Sequence, residues 1–404
     1  MRISTNMMYD TGVSQMGTLQ TNLLKTQGQM STGRRMQTPS DDPIAASRAL
    51  EVAQSDAINT QQVTNRNYAK TSLTQVSSIL TSTTTLIQDV QSLAVSAANG
   101  AYSNSERASL AAEMDGRFAD LLALANTADG TGGYLFAGYR SDTQPFSQTA
   151  TGATYQGDQG QRLLQVGSSR QIAISASGSE VFEHNMTGNG TFSVAASAAN
   201  TGTAVIQSNS VINAGAITHH NYDITFAVSG GATTYSVTDN SLVPPAAIST
   251  GVPFVSGEPI AFDGLQVNLT GVPADQDKVS VAPSLTQSIF TTLRDMITAI
   301  GKPVTDEAES AALSNSLATT GANLNSALDN VLSIQSTIGS NLKELDYLDS
   351  AGSDMTVQYA ATLSQLQDLD YTKAISSLSQ QQITLEAAQK AFKATTSMSL
   401  FSLL

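Results

Sequence analysis

Cysteine and tryptophan are absent from this 404-residue chain, and aromatic residues make up only 5% of it. Without cysteine there is no disulfide framework, no thiolate metal site and no thiol nucleophile. Two readings of that absence stand: a cytosolic protein that never needed the residue, or an export substrate passed unfolded through a narrow conduit. Basic residues are scarce as well, 19 Lys and Arg against 33 Asp and Glu, for a net charge of −14. Nothing resembles a basic patch that could neutralise phosphates, so no nucleic-acid binding is expected. No run of eighteen apolar residues occurs, so neither a transmembrane helix nor membrane insertion is expected. The opening Met1–Asp10 has an Arg with no apolar run behind it, and no cleavable secretory signal is expected.

Catalytic groupings are missing too. The only histidines are His184, His219 and His220. In a β-coded stretch His219 and His220 point to opposite faces, and Asp223 stands at a spacing that serves a metal only on a helix. The glycine-rich stretch 129–133 lacks the later Gly of a dinucleotide turn and the Gly-Lys-Ser/Thr of a phosphate loop, so it reads as a tight turn. Asp41 and Asp42 stand just before Pro43, where capping and complementing the helix dipole explain them better than acid–base work. No nucleophile-elbow pattern surrounds any Ser or Thr. The expectation is no enzyme, no cofactor and no metal.

What is present is helical code at both ends and β code between. Leu73, Val76, Leu80, Thr83, Ile87, Val90, Ala94 and Ala97 alternate by three and four residues. Leu317, Gly321, Leu324, Leu328, Val331, Gln335, Ile338, Leu342 and Leu345 repeat the rhythm. A period of 3.5 held over about four heptads marks a helix whose seam faces another long helix. With the two patterns at opposite ends of the chain, the expected class is α+β: a long antiparallel coiled-coil rod with an inserted, mainly-β head.

The outermost segments are weaker. Ile3, Met7, Val13, Met16, Leu23, Leu24 and Met30 recur at roughly helical spacing, but Gly12, Gly17 and Gly28 each cost about 1 kcal/mol relative to Ala. Ile375, Leu378, Leu385, Phe392 and Met398 share a broad face near the other end, followed by Leu400, Phe401 and Leu404. Such thin seams do not offset the entropy of ordering the segments, so disorder in the free monomer and order on assembly are expected. The assembly interface is placed at Ile3, Met7, Val13, Met16, Leu23, Ile375, Leu378, Leu385, Phe392, Met398, Leu400, Phe401 and Leu404. The loop around Arg34 and Arg35 is either a solvated turn or a contact for an acidic neighbour.

Inside these ends, a helix from Ile44 to Ala98 should close at Asn99-Gly100 through a left-handed glycine. Ser103 and Glu106 form a capping-box pattern opening a third helix. Short strands are expected at Tyr134–Ala137, Gln144–Phe146, Arg162–Val166 and Gln171–Ser175, with β code throughout from about Met186 to Pro283. Tyr222 to Val237 around Gly230-Gly231, and Ile260 to Leu269 around Asp263-Gly264, read as hairpins. Helix resumes with Leu285, Ile289, Leu293, Met296 and Ile300, breaks at Gly301–Pro303 and restarts after Asp306 with Glu309 in a capping pattern.

Four stretches carry a family resemblance: Met1–Met7, Ser31–Pro43, Gly133–Phe146, and Leu369–Tyr371 with Ala374–Gln382 and Ser399–Phe401. They resemble the flagellin superfamily, and its hook–filament junction members more than its filament flagellins. The resemblance covers roughly residues 1–175 and 285–404. Nothing in about 186–283 ties to the family, which leads one to expect a hypervariable insert there. The resemblance implies an inner axial layer from 1–40 with 366–404, a helical rod from 41–185 with 284–365, and a β-rich outer insert at 186–283. It also implies export by the flagellar type III route with an export chaperone. The chain would then sit extracellularly between hook-associated protein 1 and flagellin, in a ring-like assembly with itself. Filament flagellin is the alternative within this architecture; a glycan-binding or adhesive insert is one from another class.

Overall fold

The computed structural model describes residues 5–130 and 132–397. Its contacts gather into two units, Met1–Asn65 with Tyr347–Leu404 and Arg66–Asp346. Seven helices are described: α1 Thr5–Thr32, α2 Pro43–Ala97, α3 Asn104–Ala125, α4 Gly178–Phe182, α5 Ile289–Gly301, α6 Glu307–Gln367 and α7 Tyr371–Ser397. The division into units falls within α2 and α6, and the β insert belongs to the second unit.

The second unit is organised on α2 and α6. Lys70 pairs with Asp346 at 2.6 Å, Gln335 donates to Thr81 at 2.8 Å and Gln91 to Asn325 at 2.8 Å. Each advance along α2 is matched by a similar retreat along α6, so the helices are antiparallel. All eight seam residues expected on α2 are buried, and Ala69 extends the series. On α6 every seventh residue from Leu317 to Leu345 is buried, while Gly321, Leu328, Gln335 and Leu342 are half-buried. The heptad rhythm thus identified the helices and the faces that they bury.

Strands β1 Phe146–Thr149 and β2 Gly152–Tyr155 form one hairpin, β3 Leu163–Gln165 and β4 Gln171–Ala173 another. The insert begins after β5 Asn185–Met186 with β6 Phe192–Ala196 and β7 Val205–Val211. It continues through β8 Tyr222–Ser229, β9 Ala232–Asp239, β10 Ala246–Pro253, β11 Pro259–Phe262 and β12 Leu265–Thr270, and closes with β13 Lys278–Pro283. A final strand, β14 Thr286–Gln287, pairs with β5. Both expected hairpins are present, and both central turn residues have positive φ in each (Gly230-Gly231 and Asp263-Gly264), the geometry that suits the twist of flanking strands. A five-stranded sheet, β10-β9-β8-β13-β6, and a three-stranded sheet, β11-β12-β7, contribute Tyr222, Ile224, Phe226, Ile260, Val267 and Leu269 to one core. Of the alternating aromatics of the insert, Tyr222, Phe226 and Phe262 are core residues and Tyr235 packs partly buried against them.

A second core gathers the phenylalanines of the rod. Phe118, Phe136, Phe146, Phe182 and Phe290 are fully buried. Phe146 stacks within 5.0 Å of Phe290 and 5.5 Å of Phe182, and Phe182 meets Phe136 edge-on at 5.3 Å. Phe136 and Phe146 both come from the Gly133–Phe146 stretch, which explains what that segment does. It is not the expected strand at Tyr134–Ala137; only an isolated bridge joins Ala128 and Tyr134. The backbone there is satisfied piecemeal instead. Phe136 O accepts from Gly178 N–H and from the Tyr155 hydroxyl, both at 2.9 Å, and Asn126 bonds both the N–H and the C=O of Phe146. A buried backbone needs its partners, and side chains supply them here.

Two helix boundaries differ from expectation. Ser288 caps α5, leaving Leu285 outside the helix and 71% exposed, so the apolar rhythm ran one turn too far. Helix α2 ends at Ala97 without a left-handed glycine, since Gly100 is not among the positive-φ residues. Asp42 caps α2 through Ala45 N–H at 3.1 Å. At α3 the Ser103–Glu106 box is complete.

Glu106, Glu309 and Glu344 are all held below the ordinary glutamate value of 4.5. The causes are the Ser103 backbone N–H, the Thr305 hydroxyl and the paired Arg170 guanidinium respectively. A carboxylate favoured by the fold stabilises it above the unfolded value and stops doing so as pH falls through the folded value. The thermal midpoint should therefore hold between pH 7 and 5 and fall below about pH 4.5. The triple variant E106Q/E309Q/E344Q should show a shallower acid slope; a slope parallel to that of the unmodified protein would refute the assignment.

Candidate assembly interface

Helices α1 and α7 pair with one another in the first unit. The Tyr9 and Phe392 rings lie 5.2 Å apart and the Tyr371 hydroxyl lies 3.4 Å from Met30 O, so the pair is antiparallel. Apart from Gly28, Gln29 and Ser377, the half-buried and buried positions within these helices fall on three-four spacing. On α1 they include Gly12, Met16, Leu19, Leu23, Thr26 and Met30, and on α7 Ala374, Leu378, Gln381, Leu385, Ala388 and Phe392. This is a coiled-coil seam whose small and polar members hid it from a reading that counted large apolar residues.

The seam is thin. Within the described parts of these two helices only Thr26 and Ala374 are buried. Gln381 donates to Ser377, while its buried Oε1 has no hydrogen-bond partner. Large apolar side chains point the other way, with Met7 64%, Leu24 65% and Ile383 68% exposed. Met7, Met8, Tyr9, Gly12, Met16 and Phe392 are among the residues lining an open groove of about 1070 Å³.

The residues named from sequence divide accordingly. Met16, Leu23, Leu378, Leu385 and Phe392 lie on the intramolecular seam, half-buried. Met7, Val13 and Ile375 are exposed. Ile3, Met398, Leu400, Phe401 and Leu404 lie outside the described residues. Met8, Tyr9, Leu24, Tyr371 and Ile383 are further exposed apolar residues of this unit that sequence periodicity does not assign to the interface.

Around the Arg loop, the two open readings resolve within the chain. Arg35 N–H bonds Gln367 O at 2.7 Å, Leu369 N–H bonds Gly33 O, and the Arg35 guanidinium reaches Leu366 O at 3.1 Å and Asp42 at 3.4 Å. Lys25 pairs with Asp41 at 2.7 Å. That contact, with the Thr38 and Gln37 N–H groups, pulls the Asp41 carboxyl far below the usual carboxylate range. The loop is a clamp between the α1–α2 and α6–α7 connections. In the same unit, buried Asn59 donates to Gly352 O and Thr356 Oγ1 at 2.9 Å, a polar pin of the kind that fixes helix register.

Over the full 404 residues the chain is 31% identical to flagellar hook-associated protein 3 of Escherichia coli K12, covering 100% of this chain and 99% of that protein. The chain belongs to the flagellar hook-associated protein 3 family. The same identity and coverage hold for the Salmonella typhimurium LT2 protein of that name. The family described as the bacterial flagellin N-terminal helical region matches residues 3–141. Among solved structures, flagellar hook associated protein-3 of Legionella pneumophila is 32% identical with a TM-score of 0.74, covering 78% of this chain and 98% of that one. The Xanthomonas campestris counterpart is 28% identical with a TM-score of 0.71, covering 78% and 99%.

Residues 195–283 match a D2-like domain described for flagellar hook-associated protein 1. That corrects the expectation of an insert with no tie to the family. Its attachment explains why it sits in one unit with the rod. On α6, Asn315 bonds both Ile206 N–H at 2.8 Å and Ala204 O at 2.9 Å. Thr319 donates to Val194 O, Asn323 accepts from Gly188 N–H at 2.7 Å and Ser326 donates to Gly188 O. Asn330 donates to Glu180 O at 2.9 Å and to Asn185. Spaced by three and four, these polar residues form one helix face, on which Asn315 to Ser326 satisfy the insert's backbone and Asn330 holds the segment just before it. An apolar-periodicity reading passes over such a face. Of the histidines, His220 is held to buried Asp239 at 2.7 Å and His184 to Ser179 O at 2.9 Å, and no group suited to a metal ion occurs among the described residues.

Proposed function

We propose that this chain is the structural protein joining the flagellar hook to the flagellin filament. The observation that carries this is full-length similarity to hook-associated protein 3 at 31% identity. The exposed apolar faces of α1 and α7 support it, since they need covering. In this reading the terminal pair, 1–40 with 366–404, forms an inner axial layer. The helical rod, 41–185 with 284–365, forms the next shell, and the insert at 186–283 lies outermost. The assembly residues are those named from the sequence, with Met8, Tyr9, Leu24 and Ile383 added. Partners are hook-associated protein 1 on one side, flagellin on the other, further copies of the chain in a ring, and an export chaperone before assembly. The chain leaves the cell by the flagellar type III route and works outside it. It performs no catalysis and takes no cofactor; its work is mechanical, fitting one polymer to another.

The test is genetic and visual. In a strain lacking the gene, cells should bear hooks and release unassembled flagellin, and the reintroduced chain should restore filaments. A tag in the insert should appear by electron microscopy as a band at the hook–filament boundary. Label spread along the filament, or long filaments grown from the purified chain alone, would make the chain a flagellin instead.

A further inference from the structure

Three glycines interrupt α1, and they are not equivalent. A Cβ at Gly12 would stand 2.6 Å from Phe392 Cδ2 and 2.7 Å from Cε2, inside any normal contact distance. At Gly28 the side chain of Gln37 occupies the corresponding space. At Gly17 nothing lies within 4 Å. Gly12 and Phe392 are both seam positions, and the Phe392 ring also packs on Tyr9. We propose that Gly12 is a notch receiving the Phe392 ring, and that this knob-and-notch pair sets the axial register of α1 against α7. The inference rests on the junction reading only for its biological readout.

The clamp at Gly33–Leu369 and Arg35–Gln367 holds the far end of the pair, and between it and Phe392 the seam itself does little to hold register. It is built from Met16, Leu19, Leu23, Thr26 and Met30 facing Ala374, Leu378, Gln381, Leu385 and Ala388. Flexible and small residues specify register poorly, and a shift by one heptad would pair most of them almost as well. A ring seated this close to a glycine Cα is different: moved one turn along α1, it meets a side chain. One shape-coded contact near the end of a weak pair excludes the displaced alignments. A slipped pair would present Met7, Val13 and Ile383 at the wrong heights to neighbouring molecules.

Helix propensity and the notch predict opposite signs for one substitution, which makes the test sharp. Ala forms helix better than Gly, so Gly12→Ala should strengthen α1 if only propensity matters. If the notch matters, the new methyl displaces the ring. Four variants would be introduced into the strain lacking the gene: Gly12→Ala, Gly17→Ala, Phe392→Leu and Gly12→Ala with Phe392→Leu. Filaments per cell and the chain found in the medium would be counted. Because the chain has no cysteine, a Leu19→Cys/Leu385→Cys pair added to each background reports alignment by disulfide yield in the assembled and the purified chain. Gly17→Ala should match the unmodified chain. Gly12→Ala should be exported yet lose most filaments and most of the cross-link. Phe392→Leu, which lacks the outer ring carbons and takes other rotamers, should restore both in the double variant. Full filaments and cross-link in Gly12→Ala, or no recovery in the double variant, would overturn the proposal. If the unmodified chain itself restores no filaments, the junction reading fails, and the purified chain still decides the notch, with a seam that does not cross-link even in the unmodified background counting against it.

Discussion

Phe146→Ala should lower the thermal midpoint of the rod-and-insert unit more than any single surface change. The ring is fully buried and packs on Phe182, Phe290 and Tyr155, at centroid distances of 5.5, 5.0 and 5.1 Å. Those partners come from α4, α5 and β2, so the side chain joins elements far apart in sequence. Its backbone is pinned from both sides by Asn126, which prevents the segment from collapsing into the void. Removing a buried Phe side chain costs about 3–5 kcal/mol when the site cannot relax. For a unit of this size that corresponds to a fall on the order of 10 °C, read by calorimetry. Val243→Ala, at a site 97% exposed, should leave the midpoint unchanged. A Phe146→Ala shift no larger than that control would mean that the cluster repacks freely and is no hub.

Leu385→Asp should have the opposite profile, abolishing assembly while the same calorimetric transition stays put. Leu385 is half-buried on the α7 seam, in a pair that buries little else. A carboxylate there must be desolvated without a basic partner, a penalty of several kcal/mol that a thin seam does not absorb. In a ring every copy carries the same defect. The unit that melts cooperatively owes its cores to residues of α2, α3, α5, α6 and the insert, whereas Leu385 belongs to the other unit. Electron microscopy should show hooks without filaments, and the exported chain should appear in the medium. A large fall in the melting temperature would instead mean that the α1–α7 pair belongs to the preformed core. Filaments of normal number would remove Leu385 from the interface.

The two profiles differ because the two ends of the chain store information differently. From Leu73 to Ala97 the apolar rhythm is strict and every seam residue is buried, so a one-dimensional pattern located both helix and face. The terminal pair uses the same three-four spacing with Gly12, Thr26, Gln381 and Ala388 on it. There, counting large apolar residues selected exposed positions such as Met7, Val13 and Ile375 alongside seam positions. Their exposure is consistent with an interface to other molecules, but the pattern could not separate the two roles, because both faces of α1 carry apolar residues.

By itself the sequence determined the heptad helices, both two-residue hairpin turns, the caps at Asp42, Ser103 and Asp306, and the family resemblance at the two ends. These are local properties: each rests on residues within a few turns of one another, where spacing and φ preference suffice. Only the tertiary structure decided what Gly12 is for, why Asn315, Asn323 and Asn330 line one face of α6, and why Gly133–Phe146 is a pinned loop carrying two core rings. Each of those depends on a partner a hundred or more residues away, or on a backbone group whose need for a hydrogen bond appears only once the chain has folded around it.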